Sequence, residues 1–156
     1  MSITNVKNYF KKYGMDDRIR EFESSSATVE LAARALGCEP GRIAKTLSFY
    51  AGDDAILVVC ASDVKIDNAK YKSKFHIKAK MIGFDEVEKK TGHAVGGVCP
   101  FAIKENVQVY LDESLKKYDS VFPACGSSNS AIELTIEELE KYSGAESWVD
   151  VCKETV

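Results

Sequence analysis

The segment with the most chemical promise is Gly96-Gly97-Val98-Cys99-Pro100, where two glycines admit positive φ and a proline fixes the exit of the chain. A loop of this composition turns consecutive backbone N–H groups toward one point, which suits a carbonyl oxygen or an oxyanion. An ordinary turn between elements has the same composition, and spacing alone does not separate the two. Cys99 adds a thiol, and His93 lies three residues before Gly96. A cysteine hydrolase using this pair is disfavoured, because catalytic thiols usually start a helix and take their histidine from elsewhere in the fold. His93 then either lines the loop or is a packed loop histidine. Familiar catalytic signatures are missing: there is no Gly-x-Ser-x-Gly elbow, no His-Glu-x-x-His, and no Gly-Lys-Ser/Thr following the glycines at 92, 96 and 97. Cys38, Cys60, Cys99, Cys125 and Cys152 form an odd set without a Cys-x-x-Cys pair, and the chain has only two histidines. No zinc-ligand spacing can be assembled, so no metal or other cofactor is expected, and free thiols in apolar surroundings point to a reducing cytoplasm.

These residues need a scaffold, and the apolar pattern predicts one. Ile3, Val6, Phe10 and Tyr13 recur at helical spacing up to Gly14. An extended piece follows around Ile19 to Glu23, and the hydroxyls of Ser24-Ser25-Ser26-Ala27-Thr28 offer caps for a helix from Val29 to Leu36, closed by Gly37. Pro40 opens a short helix through Ile43 and Ala44, with Lys45 at its end. Thr46 to Tyr50 and Ala55 to Ala61, separated by Ala51-Gly52-Asp53-Asp54, predict a hairpin. Residues 67–75 are helix-compatible, 79–82 suit a short strand, and Asp85-Glu86-Val87-Glu88 has capping-box spacing. Strands are expected at 107–111, 120–124 and 130–134, then a helix capped by Thr135 and a last strand over 148–151. The assembly is a single α+β domain over residues 1–156 with a mostly antiparallel sheet.

Composition limits what the scaffold can do. With 156 residues, 45% hydrophobic and 29% charged, the chain has the makeup of one globular domain. Its longest apolar run, Ala55 to Ala61, is far short of the roughly twenty residues of a membrane span, and no secretory signal opens the chain, so no membrane partner is expected. A net charge of −3 argues against indiscriminate coating of nucleic acid. Charge is nevertheless uneven: residues 65–80 carry six lysines against Asp67 alone, whereas residues 133–150 are acidic and read as a solvated face.

Three segments then fall into register. Arg42-Ile43-Ala44-Lys45-Thr46-Leu47, the run from Thr91 to Phe101 and Ala124-Cys125-Gly126-Ser127 leading into Ala131-Ile132-Glu133-Leu134-Thr135 together resemble the YbaK/ProX family. That family includes the editing domain inserted in bacterial prolyl-tRNA synthetases and its free-standing relatives. The resemblance implies a mixed sheet curled into a partial barrel with helices around it. It also implies a cytoplasmic trans-editing hydrolase that cuts the ester between a mischarged small amino acid and the 3′ end of tRNA. Partners implied are the acceptor end of aminoacyl-tRNA and an aminoacyl-tRNA synthetase.

On this resemblance Lys45 holds the terminal nucleotide, and the Gly-x-x-x-Pro loop, Gly96, Gly97, Val98, Cys99 and Pro100, supplies the oxyanion site. His93 is expected beside that loop. Some relatives carry a histidine in the segment matching residues 126–130, and this chain has none. Gly126, Ser127, Ser128 and Asn129 are expected there to meet the substrate's amino group or ribose, a polar turn being the alternative. Lys70, Lys72, Lys74 and Lys78 are expected to meet acceptor-stem phosphates. A non-catalytic module that binds aminoacyl-tRNA or an aminoacyl-adenosine-like ligand would keep the same pocket residues.

Overall fold

A computed structural model describes residues 2–23 and 28–155 of the chain. In chain order the elements are α1 (Ser2–Lys11), β1 (Ile19–Glu21), α2 (Val29–Leu36), β2 (Ile43–Ala51), β3 (Asp54–Ala61), β4 (Val64–Ile66), α3 (Asn68–Phe75) and α4 (Val87–Thr91). They continue with β5 (Gln108–Asp112), β6 (Ser120–Pro123), β7 (Ser130–Ile132), β8 (Leu134–Thr135), α5 (Ile136–Ser143), β9 (Ser147–Val149) and β10 (Cys152–Glu154). Six strands join in the order β8-β6-β2-β3-β5-β9 and curl into a half-barrel. The hairpin β2–β3 is antiparallel as expected, turning at Gly52, which adopts φ +64°. Its flanks, β2–β6, β3–β5 and β5–β9, are parallel. Antiparallel ladders still outnumber parallel ones among the described residues, four to three.

The uninterrupted apolar run in β3 has a simple cause, since both of its faces are covered. Leu57 and Val59 point into one core with Val6, Phe10, Leu111 and Leu139, which anchors α1 and α5. Ile56 and Val58 point into a second core with Phe49 and Tyr71, which anchors α3. Thr28 caps α2 by accepting from Leu31 N, and Gly37 closes the helix in the left-handed region; the serines at 24–26 lie outside the described residues. Thr135 and Glu138 form the expected capping box at α5, and Arg18 grips the same Glu138 carboxylate with both terminal nitrogens.

Four expectations change. The helix expected through Ile43 and Ala44 is a single 3-10 turn over Pro40–Arg42, because β6 recruits Ile43 and Ala44 into β2 and so places Lys45 within a strand. The capping box at Asp85–Glu88 does not form: α4 starts at Val87, no side chain caps it, and the Glu86 carboxylate instead accepts from the Tyr50 hydroxyl. The strand at 79–82 contracts to a bridge between Phe49 and Met81. The last strand breaks at 150–151, where Val151 N donates to the buried Asp112 carboxylate rather than to a neighbouring strand, and β10 then pairs with β4.

Candidate functional site

The site grows from an unpaired stretch of sheet edge. β6 covers the outer edge of β2 only at Ile43 and Ala44. Farther along, Tyr50 N donates to Lys80 O at 2.9 Å and Ser48 O accepts from Ile82 N at 3.1 Å. A residue in an antiparallel pair directs its N–H and C=O the same way, so Thr46, two residues before Ser48, directs both into the gap between these partners. The Thr46 hydroxyl is also buried without a partner among the described residues. A cleft of about 370 Å³ opens over this gap. Its floor carries the small residues Ala44, Thr46, Ser48 and Ser130, while Val29, Ala32 and Leu36 of α2 form one wall.

The glycine loop forms another part of the rim, with Gly96 and Val98 lining the cleft. Gly96 adopts φ +89°, the left-handed region where a Cβ is disfavoured. Gly97 is constrained by space instead: a Cβ there would lie 2.5 Å from Gly126 C and O and 2.8 Å from Ser127 N. The two loops therefore touch backbone to backbone. Gly97 N donates to Ala94 O at 3.0 Å, which closes a turn and removes that N–H from any oxyanion site. Gly126 lies beneath this contact, and Asn129 is tied away by Nδ2 donating to Phe22 O and by its own carbonyl accepting from Phe22 N, both at 2.8 Å. Ser127 and Ser128 do line the cleft; the Ser127 hydroxyl is 2.7 Å from Ser130 Oγ.

His93 and Cys99 belong to the core rather than to the cleft. Both are fully buried, as is Phe101, and Pro100 is buried between Cys99 and Phe101. His93 Nε2 lies 2.6 Å from Phe101 O, the geometry of a donated hydrogen bond, and 3.4 Å from Cys99 Sγ. A nitrogen that carries its proton toward a carbonyl cannot take one from the thiol. Burial lowers the His93 pKa and pushes the Cys99 thiol up to about 12, so both groups are neutral at pH 7. The expectation that His93 lines the site is corrected, and the thiol-hydrolase reading of Cys99 loses its thiolate and its access. Phe10 of α1 packs against Phe101 edge-on, with ring centroids 4.8 Å apart, and holds this side of the loop in place.

Lysines divide in the same way. Lys45 lines the cleft, and its ammonium donates to Val64 O at 2.5 Å. Lys70 is exposed at the start of α3, where it pairs with Asp150 at 3.0 Å and donates to Cys152 O at 3.0 Å. Lys72 and Lys74 are exposed on α3, and Lys78 and Lys80 border a depression beside Tyr50 on the strap that leads to the cleft. Sequence reasoning missed the Thr46 edge, Ser48, the α2 wall and Phe84, an exposed aromatic at the mouth. Only Phe84 left a sequence signal, a large apolar residue between Gly83 and Asp85.

Comparison with known proteins places this arrangement. The model of the aminoacyl-tRNA editing domain matches residues 23–142. The uncharacterised protein YwhH of Bacillus subtilis (strain 168) is 51% identical over 155 residues, covering 99% of each chain. EbsC of Enterococcus faecalis (strain ATCC 700802 / V583), a candidate Cys-tRNA(Pro)/Cys-tRNA(Cys) deacylase, is 27% identical over 140 residues, covering 87% of this chain and 85% of its own. The crystal structure of a candidate trans-editing enzyme for prolyl-tRNA synthetase superposes with a TM-score of 0.87 at 29% identity, covering 97% of both chains.

Proposed function

The chain belongs to the aminoacyl-tRNA editing domain family, and on that premise we propose that it is a trans-editing deacylase hydrolysing the ester of a mischarged small amino acid at the 3′ end of tRNA. The carrying observation is that the cleft sets the free backbone edge of Thr46 and the rim of Gly96 and Val98 around one space. An aminoacyl ester is already activated, so water or a substrate hydroxyl attacks without a strong protein base if the developing oxyanion is stabilised. With Gly97 occupied, the donors are the N–H groups of Gly96 and Val98, which have no partner among the described residues. A well-placed donor contributes about 3 kcal/mol. Lys45 spends one of its three N–H bonds on Val64, and the others hold the terminal nucleotide. The small floor and the α2 wall favour a small side chain, as does the name of EbsC, a candidate deacylase of Cys-tRNA. Lys72 and Lys74 meet the acceptor stem and Lys78 the phosphates nearest its 3′ end, and an aminoacyl-tRNA synthetase in the cytoplasm is the source of the mischarged tRNA.

One observation favours a second reading, a regulatory module that binds charged tRNA without cleaving it. Lys45 is the only titratable side chain lining the cleft among the described residues. Incubating the protein with tRNAs charged with alanine, serine, cysteine or threonine decides between the readings. Release of free amino acid from at least one, in preference to a correctly charged control, is the expected result. Tight binding of charged tRNA with no release selects the module.

A further inference from the structure

Phe84 is 83% exposed, the most exposed of the large apolar side chains among the described residues, yet it lines the mouth of the cleft. Its position is fixed on both sides. Upstream, Ile82 is buried and its N–H is bonded to Ser48 O of β2. Downstream, the Gly83 carbonyl accepts from Glu86 N at 3.0 Å and Val87 N at 3.1 Å, closing a turn around Phe84. A rigid backbone thus holds an aromatic ring in water, where burial elsewhere would be favourable. Met81, 58% exposed, and Val95, 49% exposed, stand at the same mouth. Lys78 and Lys80 precede them on the same strap and border the neighbouring depression.

An aromatic face beside spaced cations is the arrangement that binds an unpaired nucleotide, the ring stacking on the base and the lysines meeting the phosphates. We propose that Phe84 is the stacking platform for the base of the terminal adenosine, the nucleotide whose ribose carries the ester. This rests on the deacylase reading for the position of the ester but not for the act of cleavage. The lysines select a polyanion over an apolar peptide, and the continuity of Phe84 with the cleft selects the strand end over its double-helical stem.

The test uses the full chain and reads stacking directly. Trp148 is the only tryptophan and lies on β9, outside the cleft lining, so Phe84→Trp in a Trp148→Phe background gives a reporter at the platform. An RNA microhelix ending in CCA is expected to quench this tryptophan, and the same microhelix ending in CC is expected to quench it several-fold less. In deacylation of charged tRNA, Phe84→Ala is expected to raise KM about tenfold with little change in kcat, and Phe84→Tyr to restore it. Equal quenching by both microhelices, or an unchanged KM in Phe84→Ala while the wild type is active, overturns the platform alone. Quenching that depends on the terminal adenosine in a protein that releases no amino acid sustains the platform and removes only the deacylase reading.

Discussion

Residues 93–101 form one loop with two opposed faces. Gly96 and Val98 border the cleft and offer backbone N–H groups, whereas His93, Cys99 and Phe101 are sealed in the core beneath them. By side-chain type the reactive members are the buried ones, and this loop gives the cleft only Val95, Gly96 and Val98. Reactivity is thus a property of environment: a thiol pushed up to about 12 by burial is a packing group, and an unpaired N–H at a cleft rim is the group proposed to meet the oxyanion.

The contrast breaks most severely at Gly97, where the faces meet. Gly97→Ala is expected to force the two loops apart, lowering deacylation more than about 100-fold and stability by about 2–4 kcal/mol, because the overlapping atoms are backbone and cannot rotate away. Deacylation rates with urea unfolding measure both, and wild-type values in the variant would show that the loops do not touch.

Lys45→Ala sharpens the cleft side by separating activity from folding. It is expected to lower kcat/KM on the order of 100-fold while changing stability by less than about 1 kcal/mol. Comparable losses in both would make Lys45 structural, through its bond to Val64.

Cys99→Ala sharpens the core side in the opposite sense, at a cost of about 1–2 kcal/mol in stability with turnover per folded molecule retained. Iodoacetamide is expected to leave native Cys99 unmodified, read by mass spectrometry. Inactivation in step with labelling of Cys99 would restore the thiol mechanism.

The smallest effect concerns pH. Burial lowers the His93 pKa from its ordinary 6.5, so below pH 6.5 the unfolded chain takes up a proton that the folded chain resists. Wild-type stability is therefore expected to fall as pH drops through 6.5, by at most about 1.4 kcal/mol per pH unit, and to level once folded His93 is itself protonated. His93→Gln is expected to lose this slope in urea titrations at several pH values. An identical slope in both proteins would place His93 in contact with water.

Local chemistry is legible where a few neighbouring residues decide the outcome. The β2–β3 hairpin, the Thr135 capping box, the α3 lysines and the irregular glycine loop all follow from patterns within about ten residues. The capping box at Asp85–Glu88 failed because Glu86 found Tyr50 from a different element, and the helix at Ile43 failed because β6 paired with it. Family motifs likewise marked Lys45 and the Gly96–Pro100 loop, and they left open which atoms of that loop face the cleft.

The sequence by itself determined the elements whose signals are local, the β2–β3 hairpin and the capped helices α2 and α5 among them, since periodicity, caps and turn residues act over a few bonds. It also determined that no P-loop or zinc spacing is available. Tertiary structure alone decided that Thr46 is left unpaired, that Gly97 meets Gly126 and that His93 and Cys99 are buried. The physical reason is that accessibility, hydrogen-bond satisfaction and pKa depend on neighbours far apart in the chain. Lys80–Ile82 and β6 cover parts of the same strand edge from about 30 and about 80 residues downstream, and the cleft opens over what they leave uncovered.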